Sequence, residues 1–390
     1  MAILAARAVA AHAPGIHGRP RDPRPRTPGM ADPRPSRRLR RSDCSGPGYR
    51  RRRSGRGFVY LDVDGARLSD PATLERIRGL AIPPAWSEVW ICPDPSGHLQ
   101  ATGIDAAGRK QYLYHPRWRA HRDREKFARM TRFARRLPGL RRRIAADLKR
   151  EALDRERVLA CAVRLLDVGM FRIGSEQYAD DDGGIGLATV RREHVSFEDH
   201  TVVFDYPAKG GRRRAQAITD PMSFEVVRAL RRRRAGPDEL LSYRSGRRWT
   251  PLRSDEINEY LKEHLGEEFS AKDFRTWNAS VMAAVALATD GLRADSRTAR
   301  RRAIDRAVRA VAELLGNTPA VARRSYVDPR VFDRYTSGWT IAAALERIPD
   351  LDPADDRVRA RIEAAVLDLL DDRTESPALA PLPARLGRMG

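Results

Sequence analysis

Near His121 the spacing of apolar residues changes, and that change restricts what this chain can fold into. Before it, over about residues 57–118, apolar and polar residues alternate in short runs. FVYLDVDGA turns at Asp64–Gly65, and SEVWICPDPSGHLQATGIDAAGRKQYLYH is broken at Pro93–Gly97 and at Ala106–Ala107–Gly108. A period of two buries one face of a strand, and Asp–Gly between such runs marks a hairpin. PATLERIRGL reads as a short helix with Pro71 in its first turn, where the missing N–H has no intrahelical partner to lose. Beyond His121 the period becomes helical: REKFARMTRFARRLPGLRRRIAADLKR and DRERVLACAVRLLDVGMFRIG place apolar residues three and four apart.

The helical pattern is interrupted by GIGLATV and by HVSFEDHTVVFDYPAKGGRRRAQAI, which read as strands with His200–Thr201 and Lys209–Gly210–Gly211 at turns. Helices resume in DPMSFEVVRALRRRR, SDEINEYLKEHLG, FRTWNASVMAAVALATD and residues 296–315, and a last one covers about residues 354–371. The expected class is α+β: a small β-rich domain over residues 57–120 and a larger, mostly α-helical catalytic domain with a short β-sheet over 121–345. Residues 346–390 read as a C-terminal helix and polar tail, and residues 118–126 as a hinge.

The formal net charge is +22, and +12 of it lies in residues 1–56, which hold 15 Arg and three Asp without any Lys or Glu. So polar and Pro-rich a stretch cannot bury enough surface to offset chain entropy, and it reads as a disordered extension with a loose attraction for phosphate. The basic remainder points to a polyanionic partner, nucleic acid before anionic membrane. No apolar run is long enough to span a bilayer. The three cysteines, Cys44, Cys92 and Cys161, have neither paired nor zinc-ligand spacing, which fits a reducing compartment. MAILAARAVAA followed by Arg and Pro could serve as a signal or transit segment, but Met30 is the expected true start.

Nucleotide and metal chemistry find no support. There is no P-loop and no His-Glu-x-x-His. Counted as a calcium loop from Asp180, position six is Ile185 and position twelve Arg191, where Gly and Glu are required. Asp62-Val63-Asp64-Gly65 has Asp where a ligase needs its reactive Lys.

Metal-free cleavage of a phosphodiester needs a nucleophile that keeps the phosphate covalently, cations on its non-bridging oxygens, and an acid for the departing oxygen. Candidates occur in order: Arg172 in GMFRIGSEQYA, Lys209 in FDYPAKGGRRR, Arg275 opening a helix in KDFRTWNASV, and Asn317 and Tyr326 in LLGNTPAVARRSYVDPRVFDRY. Singly, each reads as a surface, turn or packing residue. Together, their order and contexts over about residues 57–345 closely resemble the small type IB DNA topoisomerases of bacteria and poxviruses.

That resemblance implies a clamp around duplex DNA, which cuts one strand through a 3′-phosphotyrosyl bond, lets the free end rotate and reseals it without ATP or metal. It implies Tyr326 as nucleophile, Arg172 and Arg275 on the scissile phosphate, and Lys209 as general acid toward the 5′ oxygen, with Arg172 assisting. Where this group often has His stands Asn317, which can donate a hydrogen bond but not act as an acid. Gly108-Arg109-Lys110-Gln111-Tyr112-Leu113-Tyr114 resembles the β segment that such enzymes lay in the major groove. Arg109 and Lys110 suit phosphates, Gln111 an adenine edge, and Tyr112 and Tyr114 share a strand face. The alternative is a tyrosine recombinase or integrase. Those have His three residues before the second Arg, where this chain has Lys272, the topoisomerase-like residue, and a helical rather than β-rich domain ahead of the core. A non-catalytic DNA-binding protein would account for the charge alone. The expected protein is a cytoplasmic, nucleoid-associated monomer that binds duplex DNA and needs no cofactor.

Overall fold

A computed structural model of the protein describes residues 38–174, 184–290, 292, 294–350, 352 and 355–382. They fall into two compact units that divide between Phe127 and Ala128.

The first unit is built on a five-stranded antiparallel sheet in the order β2-β1-β3-β4-β5. Its strands are β1 (Tyr49–Ser54), β2 (Gly57–Leu61), β3 (Ser87–Ile91), β4 (Leu99–Ile104) and β5 (Lys110–Tyr114). Helix α1 (Pro71–Gly79) starts where the sequence places it, with Pro71 in the first turn and the Asp70 carboxylate accepting from the Thr73 N–H. Its Ile77 packs with Val89, Ile91 and Ala101 to form the core on one sheet face.

The expected disordered extension does not reach residue 56. β1 lies inside the sheet between β2 and β3, and Arg51 is a staple: its guanidinium donates to the carbonyls of Ile82, Pro83 and Trp86 and lies 4.2 Å from the Phe58 ring centroid. Upstream, the Arg40 N–H donates to the Ser96 carbonyl and the Ser42 N–H to His98 Nδ1. Arg-rich composition concealed these contacts because Arg can bury its stem while its head caps carbonyls. Residues 1–37 lie outside the described residues. Deleting residues 1–56 removes a strand with neighbours on both sides. It is expected to abolish amide-exchange protection throughout β3 and β4, whereas a deletion ending before Arg38 should leave that protection in place.

Helix α2 (Pro116–Leu148) starts in the first unit and ends in the second. The boundary expected at 120 and the hinge expected over 118–126 therefore fall within one helix. A helical period that begins among Arg and His residues is hard to see, because its exposed face carries no apolar signal.

The second unit holds α3 (Arg155–Gly169), α4 (Pro221–Arg232), α5 (Ser254–Leu265), α6 (Ala271–Thr289), α7 (Arg297–Leu315), α8 (Pro319–Ser325), α9 (Pro329–Thr336), α10 (Ala342–Glu346) and α11 (Asp356–Leu370). Helix α6 is buried on nearly every side, as its run of Ala, Val and Leu requires. A meander, β6 (Val195–Glu198), β7 (Thr201–Ala208) and β8 (Arg212–Ile218), supplies the short sheet. GIGLATV is not a strand: Leu187–Thr189 forms a 3-10 turn. A hairpin of β9 (Ser242–Ser245) and β10 (Arg248–Pro251) went unanticipated, its polar strands lacking an apolar alternation.

The described C-terminal residues, up to Leu382, belong to this unit. β12 (Ala380–Pro381) pairs with β11 (Trp339–Thr340). On α11, Arg359 Nη2 donates to Asp167 Oδ1 at 2.8 Å, and Glu363 accepts from Arg141 Nη1 at 2.6 Å. Arg141 Nε donates to the other Asp167 oxygen at 2.9 Å. Burial alone would raise the Asp167 pKa, but Arg141 and Arg359 outweigh it and hold the carboxyl well below the usual carboxylate range. This buried network anchors the last turn of α3, from which the candidate site begins. Among the described residues all three cysteines are free thiols, and no helix is long and apolar enough to cross a membrane.

Candidate active site

Helix α3 ends at Met170, whose left-handed backbone (φ 58°) turns the chain sharply. Phe171 is thereby buried edge-on against Phe204, their centroids 4.9 Å apart, while Arg172 stays half-exposed. The Arg172 backbone is held by the Leu187 N–H, which donates to its carbonyl at 2.8 Å. Its Nη2 donates to Asn317 Oδ1 at 2.6 Å and to the Gly316 carbonyl at 3.2 Å.

Asn317 follows the end of α7. Gly316 closes that helix in the left-handed region (φ 60°), and a Cβ there would lie 2.5 Å from Arg214 Nη1, both of which favour Gly. With its oxygen given to Arg172, Asn317 retains a buried Nδ2 with no hydrogen-bond partner among the described residues. Lys209 stands exposed at the β7–β8 turn, which needs Gly210 and Gly211 at φ 77° and 70°. Arg172, Lys209, Arg214, Gly316 and Asn317 line one cleft of about 520 Å³.

Arg275 is the fifth residue of α6 rather than its opening residue, and it is 3% exposed. It donates from Nη1 to the Met170 carbonyl and from Nη2 to the Leu315 carbonyl at 2.8 Å, which joins the ends of α3 and α7. Its buried Nε has no hydrogen-bond partner among the described residues. Burial lowers its pKa to about 10, helped by the charges of Arg172 and Arg214 and opposed by Tyr326. The guanidinium lies 5.2 Å from the centroid of the Tyr326 ring.

Tyr326 sits at the C-terminal end of α8, half-buried. Its N–H donates to the Ala322 carbonyl at 3.0 Å, and its carbonyl accepts from Ser280 Oγ of α6 at 3.4 Å. Burial would raise the phenol pKa. The cations Arg275, Lys272 and Arg172 more than offset it, so the net shift is downward. Lys272, expected to contact DNA, is exposed one helical turn before Arg275 and so adds to the field on Tyr326. Tyr335, the rival tyrosine, is 1% exposed, and burial raises its pKa. Arg172, Arg275, Asn317 and Tyr326, separated by up to 154 residues, are thus linked through the ends of α3 and α7, and Lys209 lines the cleft shared by Arg172 and Asn317.

In the first unit Lys110, Tyr112 and Tyr114 are exposed on one face of β5, and the two tyrosine rings stack at 6.2 Å and 15°. Gln111 lies on the opposite face of the strand, and its Nε2 donates to Asp105 Oδ2 at 2.9 Å. Arg109 pairs with the same carboxylate at 3.2 Å. Sequence reading also missed Arg214. The only signal was its place in strand alternation, two residues from Gln216.

Residues 115–348 match the family described as eukaryotic DNA topoisomerase I, catalytic core, and residues 57–105 match the bacterial DNA topoisomerase IB N-terminal domain. The chain belongs to the type IB DNA topoisomerases. It is 29% identical over 287 residues to the DNA topoisomerase 1B of Acanthamoeba polyphaga mimivirus, an alignment that covers 72% of this chain and 85% of that protein. It is 34% identical over 143 residues to DNA topoisomerase 1 of Schizosaccharomyces pombe, covering 36% of this chain and 16% of the yeast protein. With DNA topoisomerase 1 of Candidozyma auris it shares 31% identity over 153 residues, 38% of this chain and 19% of the relative.

Proposed function

We propose that the site relaxes supercoiled duplex DNA by reversible transesterification at Tyr326. The phenol oxygen attacks a backbone phosphorus and forms a 3′-phosphotyrosyl bond. The phenol proton passes to solvent, and the P–O5′ bond breaks as Lys209 gives its proton to O5′. Arg172, Arg275 and Asn317 bind the phosphate oxygens. The free 5′ end rotates, and the reverse reaction reseals the strand. One phosphodiester is exchanged for another, so the balance requires no ATP and no metal.

The observation that carries this reading is the Arg275 guanidinium over the Tyr326 ring, with two buried donors, Arg275 Nε and Asn317 Nδ2, left without hydrogen-bond partners among the described residues. Buried donors are rarely left unmade in a folded protein. A phosphate with two acceptor oxygens would satisfy them. The two units embracing one duplex, a monomeric enzyme and a location on the nucleoid belong to the same proposal, with Lys110, Tyr112 and Tyr114 on the DNA.

The test is a supercoiled plasmid incubated with the protein and EDTA, without ATP. Relaxation of both positive and negative supercoils is expected. Complete loss of activity in EDTA, or recombined products in place of relaxed topoisomers, would refute it.

A further inference from the structure

Three arginines follow the Lys209 turn, and they end up in different places. Arg212 and Arg213 are exposed, and Arg213 pairs with Asp205 across the hairpin. Arg214 is half-buried and turned into the unit, directly across the strand pair from the buried Tyr206. Its Nη2 donates to the Leu314 carbonyl at 2.7 Å and its Nε to Gln216 Oε1 at 2.7 Å. Gln216 in turn accepts from Tyr206 Oη at 3.0 Å and donates through Nε2 to the Gly169 carbonyl.

Strand β8 is thereby tied to both helix ends that build the site: to the last turn of α7, just before Asn317, and to the last residue of α3, just before Met170 and Arg172. These are also the ends that Arg275 joins through the carbonyls of Leu315 and Met170. Among the described residues no hydrogen bond or ion pair holds the Lys209 side chain. It stands on an exposed two-glycine turn five residues from Arg214. A flexible tip can deliver a proton to a defined oxygen only if the strand beneath it is held.

We propose that Arg214 is a positioning residue, which sets the Lys209 hairpin against the Asn317 end of α7 so that the ammonium meets the departing 5′ oxygen. The inference rests on the reading of Lys209 as the general acid. It predicts a defect of one kind: loss of Arg214 impairs protonation of the leaving group and leaves attack by Tyr326 intact.

A leaving group that needs no proton separates these effects. A 5′-bridging sulfur departs as a thiolate, since thiols ionise near a pKa of about 8.5, whereas a sugar alkoxide is far more basic. Single-turnover cleavage of synthetic duplexes, one with oxygen and one with sulfur at the 5′ bridging position, is measured for the full chain and for Lys209→Ala, Arg214→Ala and Arg214→Lys. Lys209→Ala should slow cleavage of the oxygen substrate by roughly 10²-fold or more, as loss of a general acid does, and recover on sulfur. Arg214→Ala should slow the oxygen substrate by about 10- to 100-fold, the cost of a small misplacement, and recover to within a few-fold of the unaltered chain on sulfur.

Arg214→Lys keeps the charge but cannot bridge Leu314 and Gln216 with one planar fork, so it should show a smaller defect with the same recovery. If Arg214→Ala does not fold, Arg214→Lys carries the comparison. Should Lys209→Ala fail to recover on sulfur, the reading of Lys209 falls. Recovery by Lys209→Ala, with the Arg214 variants equally slow on both substrates or unimpaired on oxygen, overturns the role given to Arg214. An Arg214 that contacts the phosphate directly would produce the first of those two patterns.

Discussion

Replacing Tyr326 by Phe is expected to abolish relaxation completely while leaving DNA affinity unchanged. Phe keeps the ring against the Arg275 guanidinium and keeps the backbone contacts to Ala322 and Ser280, none of which uses the phenol oxygen. Only the attacking atom is lost. The variant should form no protein–DNA adduct when cleavage is stopped with detergent. Tyr335→Phe should retain activity, because that side chain is packed in the core and feels Arg300 and Arg306 rather than the cations that act on Tyr326. An adduct trapped with Tyr326→Phe would transfer the nucleophile to another residue and dismantle the proposed mechanism.

Arg275→Ala should have an effect nearly as large, and of a different form. Loss of one fixed cation from a site that gathers charge in the transition state costs about 10²–10³ in rate, or about 2.7–4 kcal/mol. Here the same change leaves the Met170 and Leu315 carbonyls without their donor, so the ends of α3 and α7 lose a shared partner. The pH dependence should move as well. Arg275 is the leading cation that lowers the Tyr326 pKa, set against burial, which raises it. Removing the cation leaves burial opposed only by Lys272 and Arg172, so the phenol pKa rises and the rate of cleavage should climb at higher pH than in the unaltered protein. Arg275→Lys restores a charge but not the planar fork that serves two carbonyls, and should recover only part of the rate. A pH–rate profile of Arg275→Ala displaced to lower pH would contradict the assigned field.

The parts of this protein that were legible in its sequence are those that depend on neighbours along the chain. α1, α7 and the β7–β8 hairpin follow from Pro71, from apolar residues three and four apart, and from Gly210–Gly211, all local causes. The five candidate site residues were legible through their order and flanking segments, which resemble those of a known family. β1 was not legible, because Arg50 to Arg53 look solvated in composition, yet Arg51 finds three carbonyls contributed by residues 31 to 35 positions away. Nor was the place of α11, whose Arg359 and Glu363 reach Asp167 and Arg141 across 192 and 222 residues.

By itself, then, the sequence determined the class of fold and the family, and it singled out Tyr326 as the candidate nucleophile, since each is written in periodicity or in short segments. Only the tertiary structure decided which charges act on Tyr326, which side of β5 carries Gln111, and that Arg214 donates to the Leu314 carbonyl at the end of α7. Those are facts about distance and burial. An arginine's role depends on whether it faces water, a carboxylate or an unpaired carbonyl, and which of these it meets is settled only when remote segments close around it.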